Sequence, residues 1–396
     1  MTKFPQDGQL RKRVILFLVI LLPLVLNAQE ENHRAAKNYS GVAATTQARV
    51  STAGGEAGSA KTYSSAVLTS DSEANGPQQP NAKPNGPSLA RGETKRKIPG
   101  SMVGYIDNAI VQSQVRIRSD AGFHNNAPDR AEFFYAQCSC ISGPGPNPVV
   151  ADLNFQQLYL RSEYAPRKRF SFFAEVPVRW IQPQLIVVPG TPPLTNEVGL
   201  SDLAAGFKLA AVASPNQYLT FQFQTYFPSG NASIGLGTNH YTVQPALLYY
   251  RALSERIALE GQIGDSHPIG GSSCPQPCDT VATAAHLPNS QGFAGDVFFY
   301  GVGPSYVLYR RKTVRIAPVI ELVGWAILGG FETNTVTATD SFQGAKGVAG
   351  ANIVNLKGGM RTSLGANGSF YIGYGHQLTH WFWYKEIVRA EYRYTF

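Results

Sequence analysis

The segment LYLRSEYAPRKRFSFFAEVPVRW, residues 158–180, decides the fold because it contains two runs in which apolar and polar side chains alternate. A repeat of two residues is that of a β-strand, whose successive side chains point to opposite faces. The two runs are separated by the turn APRKR. The segment therefore predicts a β-hairpin with one apolar and one polar face. The apolar series is Leu158, Leu160, Tyr164, Phe170, Phe172, Ala174, Val176, Val178 and Trp180, and the polar series includes Arg161, Glu163, Ser171, Glu175 and Arg179.

The chain ends in a run of the same kind, WFWYKEIVRAEYRYTF, residues 381–396. Val388, Ala390, Tyr392, Tyr394 and Phe396 alternate there with Arg389, Glu391, Arg393 and Thr395. An apolar terminal residue is stable where lipid rather than water surrounds it. A terminal aromatic with this alternation resembles the signal by which outer-membrane barrels are recognised for assembly. We assign that role to Tyr392, Tyr394 and Phe396, with the barrel-assembly machinery as the expected partner.

The same alternation continues through the chain from about residue 113, with short and long connections in turn. Tight periplasmic turns and longer outer loops are typical of a transmembrane β-barrel, and an even strand number returns both termini to the periplasm. The expected fold is therefore all-β, a transmembrane antiparallel up-and-down barrel of about 12 strands with a disordered N-terminal arm. The segment 131–137 would be a thirteenth strand, so we assign it to the first outer loop. Strands are predicted near 113–123, 154–165, 170–181, 200–213, 218–228, 240–252, 256–264, 296–309, 313–327, 351–364, 369–378 and 386–396, and long loops at 138–152, 183–199, 229–239, 266–294, 329–350 and, shorter, 379–384.

A soluble β-sandwich would also show alternation, because its two apolar faces meet in a core. The aromatic residues favour the barrel, since they gather at both strand ends, as at two membrane interfaces. Four prolines inside the predicted strands oppose it, because a closed barrel has no edge strand; we expect them to mark bulges. The aromatic residues are Trp180, Phe227, Trp325 and 381–384 toward the long loops and Tyr164, Phe170, Tyr218, Tyr249, Tyr309 and Tyr392 toward the short turns, and the prolines are Pro177, Pro245, Pro304 and Pro318.

The N-terminus predicts export. A basic region precedes the 13 apolar residues 14–26 and the small residue Ala28, which is the pattern of a signal peptide; an uncleaved anchor is the alternative. We therefore assign 1–28 to a signal peptide, 29–104 to a disordered periplasmic arm rich in Gly, Ser, Asn and Pro, and 105–396 to the barrel. The net charge of +8 comes mostly from the first two segments. It gives no reason to expect a nucleic-acid partner.

Residues 170–260 carry a more specific similarity. Their pattern consists of Val176-Pro177, a strand start Gly199-Leu200-Ser201-Asp202, the loop Pro228-Ser229-Gly230, and Gly235-Leu236-Gly237-Thr238. It resembles the outer-membrane transporter family named for the meta-cleavage pathway of phenol degradation. The resemblance extends over about residues 150–396, including 317–325 and the terminal Phe396. It implies an outer-membrane transporter, but its motifs are structural and imply no substrate.

The predicted inward faces carry sixteen charged residues. One interpretation is a set of ion pairs that fills a narrow lumen for stability. The other is a constriction that passes small solutes and mildly favours anions, because basic groups exceed acidic ones. The sixteen lumen-lining candidates are Arg116, Arg118, Asp120, Arg161, Glu163, Glu175, Arg179, Lys208, Glu260, Arg315, Glu321, Lys357, Arg361, Arg389, Glu391 and Arg393.

The four cysteines, Cys138, Cys140, Cys274 and Cys278, fall in predicted outer loops of an oxidising compartment. Because histidine or carboxylate partners at fixed spacing are lacking, we expect disulfides rather than a metal site. Pairing between the two loops and a Cys274–Cys278 bridge both remain open. We expect no metal and no cofactor.

The function expected from the sequence is passive passage of small solutes, aromatic or anionic compounds among the candidates, through an outer-membrane channel. The expected surroundings are outer-membrane lipid of a Gram-negative-type bacterium, and the oligomeric state is open. A non-transporting scaffold or adhesin acting through the long loops is the alternative. An outer-membrane hydrolase would need a Ser–His pair, with His240, His267, His286, His376 and His380 as candidates; no nucleophile motif accompanies them, so no enzyme is expected.

Overall fold

The protein folds as a closed antiparallel β-barrel with twelve strand positions in its wall. We call each position a stave, because some of them consist of two strand segments. The computed structural model describes residues 100–128, 145–146, 149–188, 190, 193–270, 294–335 and 342–396. Pairing of β1 with β16 and of β9 with β11 closes the cylinder. The strands are β1 (Gln114–Asn125), β2 (Val149–Arg167), β3 (Phe170–Val188), β4 (Glu197–Leu200), β5 (Leu203–Ser214), β6 (Gln217–Phe227), β7 (Tyr241–Ala252), β8 (Ile257–Ile269), β9 (Val297–Tyr306), β10 (Tyr309–Arg310), β11 (Val314–Ile327), β12 (Phe331–Thr335), β13 (Phe342–Gly347), β14 (Asn352–Leu364), β15 (Gly368–Gln377) and β16 (Glu386–Thr395).

The twelve predicted strands are confirmed as the twelve staves. β4 and β5 form one stave, interrupted at residues 201–202, and β10 is a short continuation of β9 along β11. β2 and β3 are longer than predicted and extend into the expected loops 138–152 and 183–199. The hairpin β12–β13 lies outside the barrel sheet, in the expected loop 329–350. A single turn of 3-10 helix occupies Ala232–Ile234, and the described residues contain no helix able to span a membrane.

The alternation of the sequence becomes the division between the outside and the inside of the barrel. Phe172 is 50% exposed and Ile320 60%, whereas Glu163 and Glu321 are fully buried. A water-soluble protein buries its apolar residues and keeps unpaired charges outside. The opposite arrangement here suits a barrel with apolar surroundings and a polar interior.

Each of the four prolines lies where one of its two hydrogen-bonded ladders is interrupted. Pro177 faces the break between β4 and β5, where one extra residue forms a bulge. Pro245 lies at a gap in the β7–β8 pairing and Pro304 at a gap in the β9–β11 pairing, both without a change of register, whereas Pro318 lies where the partner of β11 changes from β9 to β10 and the register shifts by one residue. Proline has no amide hydrogen to donate. Where the ladder is interrupted, no carbonyl of the neighbouring strand is placed to accept a hydrogen bond from the proline nitrogen. The expected bulges therefore occur opposite Pro177 and Pro318, whereas Pro245 and Pro304 need only a missing pair.

Residues 100–112 lie inside the barrel. The predicted boundary between arm and barrel falls within this segment, at residue 104, but Met102, Val103, Ile106, Ile110 and Val111 are all buried. Ser113 then joins the turn end of the wall, where its carbonyl accepts a hydrogen bond from the amide of Phe396. We call residues 100–112 the inner segment. The predicted signal peptide, the arm up to residue 99 and the four cysteines lie outside the described residues.

An apolar cluster fills the long-loop end of the interior. The aromatic belt expected there is only partly present, because Trp383 and Tyr384 are buried in this cluster and Trp325 packs against it, while Trp180 and Phe227 face outward. At the turn end Tyr218 is likewise buried, in a separate cluster with Ile110 and Val111. We call the first set the outer cluster; its members are Val150, Leu153, Phe155, Ile181, Leu194, Leu236, Val297, Ile327, Val348, Ile353, Trp383, Tyr384 and Ile387.

Candidate functional site: the inner segment and the chamber above it

The structure brings the sixteen charged candidates together in the barrel interior. Fourteen of them are buried, and Arg118 and Arg315 are partly exposed. Many form ion pairs with one another, as one of the two interpretations expected. Arg389 binds Asp120 through two nitrogens at 2.6 and 2.7 Å, and Arg361 lies 2.7 Å from Glu391. Paired charges with further hydrogen bonds are the form in which buried ions are tolerated. Further pairs are Arg116–Glu175, Lys208–Glu163 and Arg393–Glu391.

Two carboxylates of the wall bind the backbone amides of the inner segment. Glu321 accepts hydrogen bonds from the amides of Gly104 (3.1 Å), Tyr105 (2.8 Å) and Ile106 (2.8 Å). Glu260 accepts one from Met102 at 2.9 Å and a longer one from Val103. An extended segment inside a lumen has no neighbouring strand to pair with. Its buried amides therefore need hydrogen-bond acceptors from side chains. The carboxylates supply that need with charge-assisted bonds.

Cationic side chains bind the carbonyls of the same segment. Arg361 donates to the carbonyls of Met102 (3.0 Å) and Val103 (2.8 Å), and Arg389 donates to that of Gly104 at 2.6 Å. Lys208 donates to the carbonyl of Asn108 at 2.9 Å, and the Thr220 hydroxyl to that of Ala109 at 2.6 Å. Several of the charges predicted to line the lumen thus hold a piece of the chain itself.

The order of these contacts gives the path of the inner segment. Along β16, Arg393 contacts residue 101 and Arg389 contacts residue 104, so the chain climbs from the turn end toward the loop end. Along β6, Gln222 contacts Asp107 and Thr220 contacts Ala109, so the chain then descends. The inner segment is a re-entrant loop with its apex at residues 105–107, and it occupies the turn-end half of the lumen.

Three glycines make room for a tyrosine that fixes the ascending part. The ring of Tyr371 packs against Gly104, Gly359 and Gly373 so closely that a Cβ at any of them would overlap it. Its hydroxyl donates to Glu321 at 3.2 Å. Tyr371 therefore positions both the carboxylate and the segment that the carboxylate binds.

A chamber of about 210 Å³ lies between the inner segment and the outer cluster. Tyr105, at the apex of the inner segment, contributes to its lining. Arg389 and Lys357 each lie 4.2 Å from the centre of the Tyr105 ring. The lining combines aromatic rings with charged groups, and it includes Arg118, Asp120, Phe155, Tyr159, Glu175, Arg179, Asp202, Tyr226, Trp325, Lys357, Tyr384 and Arg389.

A loop folded by Asp202 borders the chamber. The Asp202 carboxylate accepts hydrogen bonds from the amides of Gly230 (2.9 Å) and Thr238 (2.8 Å) and from the Thr238 hydroxyl (2.7 Å). Gly235 adopts φ 79°, which favours glycine, and Leu236 joins the outer cluster. The sequence pattern therefore belongs to one structural unit. Pro-Ser-Gly and Gly-x-Gly form the loop 228–240, and the Asp of Gly-x-x-Asp holds that loop by hydrogen bonds. Burial lowers the pKa of His240, whose Nδ1 lies 2.9 Å from the Thr238 carbonyl.

The other histidine candidates lie apart. His267 pairs with Asp296 at 2.6 Å, His376 lies 4.0 Å from Glu386, and His380 is exposed. No serine hydroxyl is hydrogen-bonded to a histidine ring within the described ranges; His286 falls outside them. Of the proposed assembly residues, Tyr392 and Phe396 face outward and are 44% and 57% exposed.

The alternation of the sequence does not predict the inner segment. The signal that could have found it is the apolar stretch MVGYIDNAIV, residues 102–111, which lacks the period of a strand and directly precedes the first one. Compared with the sequence of residues 29–99, it is rich in apolar side chains, which favours packing.

No family profile matches the chain, and no curated protein matches it. Among solved structures, an outer membrane channel from Pseudomonas putida F1 is 14% identical, with a TM-score of 0.43 and coverage of 72% of this chain and 96% of that chain. The NanC porin is 7% identical, with a TM-score of 0.36 and coverage of 71% and 98%. The β domain of the Bordetella autotransporter BrkA is 13% identical, with a TM-score of 0.40 and coverage of 72% and 100%. These similarities concern the fold alone.

Proposed function

We propose that this protein is an outer-membrane channel for small solutes and that the inner segment closes it at rest. The observation that carries the proposal is a closed barrel with apolar side chains outside, charged side chains inside, and its own chain bound across the lumen by polar contacts at Glu260, Glu321 and Arg361. In this proposal the short turns and the N-terminal arm face the periplasm, and the long loops face outward.

The inner segment is held both by apolar contacts of Met102, Val103 and Ile106 with the wall and by polar contacts of its backbone, and the polar part supports a closure that can open. When the segment leaves, the carboxylates and guanidinium groups that bound its backbone become available to water. Charged groups in a wet lumen retain most of their hydration, so the opened state is accessible. The wall then carries ten basic and six acidic candidate residues, which supports a mild preference for anions.

Planar-bilayer conductance of the refolded full chain tests the proposal, with Gly104→Ala as the perturbation. The methyl group that this substitution adds would overlap the Tyr371 ring, so the inner segment is expected to detach without any loss of barrel charge. Gly358→Ala is the matched control, because nothing lies within 4 Å of its added Cβ. We expect small and infrequent openings for the wild type and for Gly358→Ala, and frequent larger ones for Gly104→Ala.

If wild type, Gly104→Ala and Gly358→Ala all fold but none conducts ions, the channel is refuted and the scaffold alternative is favoured. Hydrolysis of lipid or peptide by the same preparation would favour the enzyme alternative. Equal conductance of Gly104→Ala and wild type would refute closure by the inner segment while leaving the channel itself.

A further inference from the structure

Lys357 stands apart from the other cations that line the chamber. Its side chain is buried, and its ammonium donates one hydrogen bond, to the Tyr384 hydroxyl at 2.8 Å. The ammonium lies 4.2 Å from the ring centre of Tyr105 and 5.3 Å from those of both Trp325 and Tyr384. No carboxylate oxygen of the described residues lies within 4.0 Å of it. An ammonium has three donors, so this one retains hydrogen-bonding capacity.

The neighbouring charges of the chamber already have partners, including Arg179, which donates to the side-chain oxygen of Gln157 at 3.2 Å. Both oxygens of Asp120 accept from Arg389, and Arg118 lies 3.5 Å from Asp120 and 3.9 Å from Glu175. Both oxygens of Asp202 accept bonds from the folded loop 228–240. In all, four cations and three carboxylates line the chamber, which leaves one positive charge in excess.

The size and the lining of the chamber restrict which ligands could bind to that positive charge. Its volume of about 210 Å³ is below the roughly 300–1,000 Å³ of pockets that hold drug-sized ligands. Phe155, Tyr159, Trp325 and Tyr384 present rings to the same space. Rings favour flat apolar partners in offset or edge-to-face contact.

We propose that the chamber is a binding site for a small organic monoanion with a flat apolar body, and that Lys357 binds its charge. The chamber lies between the two closures of the lumen, so this inference rests on the proposed channel and deepens it by naming its solute class. The anion would be held by Lys357, with Trp325 and Tyr384 beside its body. An alternative role for Lys357 is structural, in which its ammonium serves only to pack the three rings together.

Isothermal titration calorimetry on the folded full chain in detergent separates the two roles. Benzoate and benzamide are the probes, because they share a shape and differ in charge. We expect wild type to bind benzoate at least about tenfold more tightly than benzamide, as a charge-assisted bond should provide. Lys357→Met should lose about tenfold or more in benzoate affinity and leave benzamide unchanged. Lys357→Arg should stay close to wild type.

Arg315→Met is the control, because Arg315 is a lumen cation that does not line the chamber and should leave both affinities unaltered. Equal binding of the two probes by wild type, no benzoate binding, or full benzoate affinity in folded Lys357→Met would each overturn the proposal. If Lys357→Met does not fold, the two probes on wild type still test whether the chamber prefers an anion, which the structural role of Lys357 does not predict. Calorimetry measures binding and not conductance. The proposed binding site can therefore be refuted while the proposed channel is supported, or the channel refuted while the site is supported.

Discussion

Replacing Glu321 by Gln should release the inner segment from the wall. One carboxylate oxygen accepts from Tyr105 and Ile106 and the other accepts from Gly104. A glutamine amide has one acceptor oxygen and one NH₂ group, so whichever way it turns, at least one backbone amide faces a donor. That bond is lost, and the others change from charged to neutral.

The magnitude follows from the bond count. A hydrogen bond to a charged group contributes about 1.5–3 kcal/mol and a neutral one about 0.5–1.5 kcal/mol. Losing one and weakening two costs several kcal/mol, partly offset because a buried charge is removed. We therefore expect a net loss of about 3 kcal/mol, which makes detachment of the segment about 10²-fold more frequent.

Amide hydrogen exchange measures that detachment directly, because protection of an amide in a local element reports the free energy of its opening. The peptide containing residues 102–108 should lose about 10²-fold in protection, while the peptides of β14 to β16 keep theirs. Glu175→Gln is the control: it removes a buried lumen carboxylate that pairs with Arg116 and accepts no bond from the inner segment. Unchanged protection in Glu321→Gln, or an equal loss in Glu175→Gln, would refute the assignment of Glu321 as the main anchor.

Three further predictions concern other parts of the chain. Asp202→Asn should unfold the loop 228–240 locally, because its carboxylate accepts three hydrogen bonds there, and limited proteolysis should then cut within 228–240 in the variant but not in wild type. Deleting Phe396 should lower the amount of barrel in the outer membrane far more than transport per folded molecule, and wild-type amounts would contradict the assembly role. Non-reducing mass spectrometry of the exported protein should find no free thiol among Cys138, Cys140, Cys274 and Cys278, and four alkylatable cysteines would contradict the disulfides.

The barrel could be predicted from sequence because its rule is local. Each stave needs only alternating side chains over about ten residues, and each turn needs only a short polar break. Residues 158–180 show both, and β2 and β3 form there. The ends of these strands were missed, because strand pairing beyond the membrane-length segment depends on the partner strand rather than on the alternation of either one.

The closure could not be predicted in the same way, because it depends on contacts between distant residues. Glu321 and the amides it binds are more than 200 positions apart, and nothing in the periodicity of either segment indicates the other. The alternation predicts Glu321 and Arg361 on inward-facing rows, and both are buried, yet the same pattern would occur in an empty lumen. Only the fold shows that their partners are backbone groups.

Both ends of the lumen contain apolar clusters, but the turn end adds charge-assisted hydrogen bonds to the backbone of the inner segment, and this difference has a consequence for function. At the loop end, Leu236 and Trp383 are packed in an apolar cluster, whose opening exposes hydrocarbon to water at about 25 cal/mol per Å². At the turn end, Met102, Val103 and Ile106 of the inner segment also pack against apolar wall residues, and the backbone at Gly104–Ile106 is held in addition by charge-assisted hydrogen bonds, which water replaces in part. A solute with an apolar part can substitute for contacts in the outer cluster, whereas a charged group can compete for the polar contacts of the inner segment. A small amphipathic anion carries both features, which is the reason to expect that one molecule could pass both closures in turn.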